Sequence, residues 1–289
     1  MSSGATCRRE NSERAGAAAL QRLRPERVYM DNGQVPKTIK YGSLPDQAGD
    51  LYLPSTPHPP VICLLHGGFW RASYGRDQMD AIAADLARRG FAVWNLEYRR
   101  LGVPNAGWPG TFDDVLAGID RLTGFAADGI DIDLHRVVVS GHSAGGHLAL
   151  WAAARERGRD AGKSTRECRI SAVVGQAPVA DLQRAFELGT GGSAVRELMG
   201  GTPTERAERY RRASPRALLP MNVPQLLIHG TLDDVVPLEI SRTYTEAARA
   251  AGDRAELVEL PGAGHMEFLD PASPAHAVLC NWLNRVALA

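Results

Sequence analysis

Gly141-His142-Ser143-Ala144-Gly145 is a G-x-S-x-G with a serine at its centre. The apolar run Val137-Val138-Val139 leads into it, and Leu148-Ala149-Leu150 opens a helix beyond it. This pattern puts Ser143 on a sharp strand-to-helix turn, with its Oγ projecting above a sheet. Small residues two before and two after the serine are required because neighbouring backbone crowds the turn. The N–H of Ala144, at a helix N-terminus, is then free to meet a developing oxyanion. A serine hydroxyl is nearly inert at neutral pH and needs a base to take its proton. His265, in Pro261-Gly262-Ala263-Gly264-His265-Met266, follows the last apolar strand on a glycine-rich loop and is the candidate base. The imidazole needs a carboxylate to hold its tautomer. Asp233 and Asp234 both follow a buried strand in His229-Gly230-Thr231-Leu232-Asp233-Asp234-Val235-Val236-Pro237. Asp233 is the choice, with Asp234 suited to cap the turn into Val235. The last piece is His66-Gly67-Gly68-Phe69-Trp70, directly after another buried strand. Its glycines let backbone N–H groups turn inward, so that of Gly68 or Phe69 would pair with that of Ala144 around an oxyanion. His66 would brace this loop. His142 is placed with Trp70 at the substrate pocket; for Trp70 a core position fits equally well.

These residues must be carried by regular elements, and the patterning supplies them. Thr38–Tyr41 and Asp50–Leu53 alternate like two half-exposed strands. Short apolar runs at Val61–Leu65, Phe91–Tyr98, His135–Ser140, Ile170–Gln176, Pro224–Gly230 and Ala255–Leu260 read as strands. Helical spacing covers 77–89, 109–127, 146–157, 238–251 and 272–286. Strands alternating with helices imply right-handed β-α-β units and a mostly parallel sheet. The first strand pair lacks an intervening helix and would be antiparallel. The polar stretch 180–219 breaks the rhythm beyond the carboxyl end of a strand, where ligands bind in such sheets, and is a candidate lid. Residues 1–27 are rich in Arg, Glu, Ala and Ser without a strand pattern and read as a mobile amino-terminal arm. The organised domain runs from 28 to 289.

Composition narrows the function classes. Lys+Arg and Asp+Glu are both 33 in 289 residues, giving a formal net charge of zero. That balance argues against a nucleic-acid partner or an anionic membrane surface. The four cysteines, Cys7, Cys63, Cys168 and Cys280, form no C-x-x-C pair and show no metal-ligand spacing. No run is long and apolar enough for a membrane span or signal-peptide core, so the expected location is cytoplasmic.

Together the four motifs resemble the α/β-hydrolase superfamily, within its esterase/lipase and prolyl-oligopeptidase-like group, over roughly residues 36–287. The chain order Ser, Asp, His is the order of that fold. The resemblance implies an α/β-hydrolase fold with a central sheet of about eight strands, a Ser143–His265–Asp233 triad and no cofactor or metal. It also supports Asp233 as the acid, since the first Asp after His-Gly-x-x usually serves. The expected function is a carboxylesterase acting on a small-molecule ester through an acyl-enzyme. The His-Gly-Gly-x-Trp run is also similar to that of arylformamidases, which makes a formamide the alternative substrate. A small-peptide hydrolase and a non-catalytic ligand-binding member of the fold are the remaining readings. Neither the substrate nor the oligomeric state is legible at this level.

Overall fold

The computed structural model describes residues 36–159 and 168–287; the expected arm over 1–27 lies outside them. Eight strands form one sheet: β1 (Lys37–Lys40), β2 (Ala48–Tyr52), β3 (Pro60–Leu65), β4 (Ala92–Leu96), β5 (Asp133–His142), β6 (Ile170–Gln176), β7 (Gln225–Gly230) and β8 (Ala255–Leu260). Their spatial order is β1-β2-β4-β3-β5-β6-β7-β8. The pairs β1·β2 and β2·β4 are antiparallel, and the other pairs are parallel. This is the α/β-hydrolase architecture expected from the sequence, down to the antiparallel start.

The main helices are α1 (Asp80–Arg88), α2 (Gly110–Asp120), α3 (Ala144–Arg159), α4 (Leu182–Glu187), α5 (Ala194–Met199), α6 (Ala207–Ala213), α7 (Leu238–Ala250) and α8 (Pro274–Ala287). Two expected helices are shorter than their apolar spacing suggested. The first begins as a 3-10 turn over Arg76–Met79, and the second breaks into 3-10 turns after Asp120.

Side-chain alternation along the strands divides the core in two. Val61, Cys63 and Leu65 of β3 face a cluster that takes in Phe112 and Val115 of α2, Leu148 of α3 and Tyr244 of α7. Ile62 and Leu64 face the other, with Ile82 and Leu86 of α1 and Leu279 and Leu283 of α8. All six residues of β3 are buried, as an interior parallel strand requires. A polar clasp ties α1 to α8. The Asp85 carboxylate accepts from Arg88, from Arg89 and from Nε2–H of His276 at 2.7 Å.

The parallel registers align the carboxyl ends of the strands. Leu65 pairs with Gly141, His142 with Gln176, and Gly230 with Leu260. The loops that leave these positions therefore share one rim of the sheet.

Candidate active site

Ser143 stands between the end of β5 and the start of α3, at φ 55°. A non-glycine residue with this backbone angle costs on the order of 1–3 kcal/mol and must be held by its surroundings. Its N–H donates to the Gln176 carbonyl at 2.8 Å, and its carbonyl accepts from His147 N at 3.1 Å. The crowding expected at the turn is severe. A methyl group on Gly145 would lie 2.0 Å from the Leu65 carbonyl oxygen, and one on Gly141 would lie 2.3 Å from that of Gly145. The first turn of α3 is thus pressed against the end of β3. Ala144 is the first residue of α3, so its N–H has no carbonyl one turn back within the helix.

The loop after β3 lies against the same turn. A Cβ on Gly67 would sit 3.2 Å from Cβ of Ser143. Gly68, Phe69 and Trp70 then take three consecutive positive φ values of 97°, 51° and 58°. This unusual run is braced from below by His66. Its Nδ1–H donates to the Gly67 carbonyl at 2.8 Å, and its Nε2 meets Glu97 Oε1 at 2.7 Å. The ring stacks on Tyr98 at 4.4 Å, and the Tyr98 hydroxyl donates to the His66 carbonyl. Burial raises the Glu97 carboxyl, but His66 and Arg100 together outweigh it and hold the group below its ordinary range. Glu97 and Tyr98 escaped the motif reading. The only signal was a charged residue closing the run Phe91–Leu96, which is apolar except for Asn95.

Across the rim, the loops after β7 and β8 are laced together. Thr231 N donates to the Leu260 carbonyl and Leu232 N to the Ala263 carbonyl, both at 3.0 Å. His265 Nδ1–H donates to Asp233 Oδ2 at 2.7 Å. Asp233 Oδ1 accepts from the N–H groups of Val235 and Val236 at 2.9 and 2.8 Å. One carboxylate therefore holds the imidazole and caps the turn; the cap expected of Asp234 falls to Asp233, and Asp234 is exposed. Burial pushes the Asp233 carboxyl up, but donors from His229 and His265 prevail, and it stays ionised well below the usual carboxylate range. The His265 ring lies 4.6 Å from that of His142, the residue preceding Ser143. The structure thus gathers Ser143, Ala144, Gly68, Phe69, Asp233 and His265 at one rim.

Two expected pocket residues are placed elsewhere. Trp70 has no exposed surface, and its ring packs edge-on to His147 at 5.2 Å inside the core. The left-handed backbone at Trp70 carries its side chain into the core, away from the opening. His142 is also buried; its Nε2–H donates to the His265 carbonyl at 2.9 Å and its ring stacks on Phe268. It supports the histidine loop instead of facing substrate. Burial, with His265 nearby, lowers its imidazole to about 3, so it stays neutral at working pH.

A family model described as BD-FAE matches residues 50–247. Among characterised relatives, esterase LipC of Mycobacterium tuberculosis is 30% identical over 273 residues, covering 86% of this chain and 65% of that protein. Isoprenylcysteine alpha-carbonyl methylesterase ICME of Arabidopsis thaliana is 27% identical over 259 residues, covering 83% and 58%. The chain thus spans less than two thirds of either relative's length. Two solved structures share the fold. Esterase B from Lactobacillus rhamnosis matches with TM-score 0.78 at 21% identity, covering 98% of this chain and 94% of that one. The bifunctional GH43-CE protein of Bacteroides eggerthii matches with TM-score 0.73 at 26% identity, covering 86% and 37%.

Proposed function

The chain belongs to the BD-FAE family, and from that premise we propose that it is a serine carboxylesterase. Ser143 attacks the carbonyl of a small ester while His265 takes its proton and Asp233 stabilises the imidazolium that forms. The N–H of Ala144 and that of Gly68 or Phe69 receive the oxyanion. His265 then protonates the leaving alcohol. Water, activated by the same imidazole, releases the carboxylic acid. The observation that carries this reading is the 2.7 Å bond from His265 to a buried, ionised Asp233, at the same rim as a serine elbow with φ 55°. The relatives named above are esterases, which favours an ester over the formamide alternative. Trp70 in the core also removes one of the two rings on which an aromatic formamide pocket would rely. We place the short helices α4–α6 as a cap over the site. Among the described residues no helix is long and apolar enough to cross a membrane.

The test is turnover of p-nitrophenyl acetate and of N-formylkynurenine by the purified protein, with Ser143→Ala as blank. The ester is expected to be the better substrate. The variant should keep its fold and lose at least about a thousandfold in kcat. Retained turnover in Ser143→Ala would sink the assignment, and a strong preference for the formamide would replace the ester by the alternative. A fluorophosphonate should label Ser143, whereas a serine without a base reacts slowly.

A further inference from the structure

Behind the Asp233–His265 pair stands a second imidazole. His229 is the penultimate residue of the buried strand β7 and has no exposed surface. Its Nε2 faces two oxygens, the Val236 carbonyl at 2.9 Å and Asp233 Oδ2 at 3.3 Å. Both only accept, so Nε2 carries the proton and divides it between them. Its Nδ1 lies 2.7 Å from Ser241 Oγ on α7, whose hydroxyl donates to it. The ring is therefore hydrogen-bonded at both nitrogens. The Asp233 oxygen that holds His265 is the oxygen that His229 also touches.

We infer that His229 is a positioning residue: it fixes Oδ2 of Asp233 and takes up part of its charge, so that His265 is held in register without being over-stabilised as imidazolium. The inference rests on Asp233 and His265 acting as proposed above. Oδ1 has two backbone donors of its own, so removing His229 leaves the carboxylate in place but frees Oδ2. Its negative charge then falls more fully on His265. Among the described residues, the titratable groups facing the cluster are His142 at the end of β5, His265 itself, and Glu259 on β8, whose carboxylate feels His229 through space. Of these, Glu259 is half-buried and paired with Arg242.

The experiment compares His229→Leu and His229→Gln with the wild type in kcat, KM and the pH profile of kcat/KM on an activated ester, with Ser143→Ala as blank. His229→Leu should lower kcat about tenfold with KM unchanged, and move the acid limb about half a unit to higher pH. His229→Gln returns an amide N–H near the Nε2 position and should recover most of both effects. Should His229→Leu fail to fold, Ser241→Ala carries the test, since it loosens His229 without touching Asp233. It should move kcat and the limb in the same directions by less. A purely structural role would lower stability but leave the limb where it is, and that result would overturn the inference, as would a Gln variant no better than Leu. A Ser143→Ala blank that still turns over ester would instead bring down the underlying reading, and the inference with it.

Discussion

At φ 55° the backbone of Ser143 is held by contacts that no other residue type at Gly145 would permit. The elbow is also supported one residue earlier. The Nε2–H of His142 fixes the carbonyl of His265, so the residue before the serine sets the position of the histidine 123 positions later. In His142→Phe the ring stacking on Phe268 is kept, while the buried carbonyl loses its donor. An orphaned buried acceptor costs about 1–3 kcal/mol. The expected outcome is a lower unfolding free energy in urea by that amount and a fall in kcat on an activated ester, with His142→Gln recovering most of both. Unchanged kcat in His142→Phe would separate the histidine loop from the elbow. Ser143 and His265 were legible because a strained turn and a glycine-rich loop demand particular neighbours in sequence. The role of His142 was not, because its partner lies on a distant loop and the G-x-S-x-G pattern leaves that position open.

The segment from α4 to α6 reads as polar in sequence, yet it is packed by its inner face. Leu182, Ala185, Val195, Leu198 and Tyr210 are buried with the main core. Backbone carbonyls at its far end accept from the helix that follows the elbow: Ala213 from His147 Nε2 and Arg212 from Trp151 Nε1, both at 3.0 Å. Its near end meets the loop after β3, where Arg71 forks onto Glu197 and donates to Ser193. The Phe69 ring covers Gly191, where a Cβ would lie 2.4 Å from Phe69 Cδ1. Gly191 also has φ 69°, a left-handed angle that costs a side-chain-bearing residue about 1–2 kcal/mol. Gly191→Ala is therefore expected to lower the melting temperature and to push Phe69, cutting kcat/KM. The backbone part should persist in a Phe69→Ala background and the steric part should vanish. A double-mutant cycle should give a coupling of about 1 kcal/mol, and additive effects would show the two segments to be independent. Short helices of six or seven residues, each burying two to four side chains, leave too weak a period to be seen along the chain. Their reading as one polar excursion followed from that.

Over the whole molecule, a mostly parallel sheet with an antiparallel start was legible in the alternation of apolar runs and helices, but the spatial order, with β4 inserted between β2 and β3, was not. Nor were the buried titratable groups, because burial and partners come only with the fold. They set how the protein responds to acid. Burial lowers His142 to about 3 and His147 to about 4 from an ordinary 6.5. As pH falls below 6.5 the unfolded chain takes up protons at both sites and the folded chain does not, so stability falls. Asp80 acts oppositely. Burial raises it to about 6, so the folded chain takes up its proton first and gains stability between pH 6 and 4. These two histidines against the one carboxyl amount to a loss of about 1 kcal/mol per pH unit across that window, and His276, whose imidazole burial also lowers, adds to it. Asp233 and Glu97, both lowered, add their own losses only in stronger acid. Urea titrations at pH 4, 5 and 6 should show this slope, and His147→Gln should flatten it; a slope unchanged in that variant would remove His147 from the account. The pairing of β5 with β6 joins two parts of the chain that each hold part of the proposed site. The part through α3 brings the elbow and the loop after β3, and the part from β6 onward brings Asp233, His229 and His265. The proposed chemistry is thus divided between two consecutive lengths of polypeptide. Were the chain cut between α3 and β6, neither fragment would turn over substrate alone, and hydrolysis would report their reunion, rising with the product of the two concentrations.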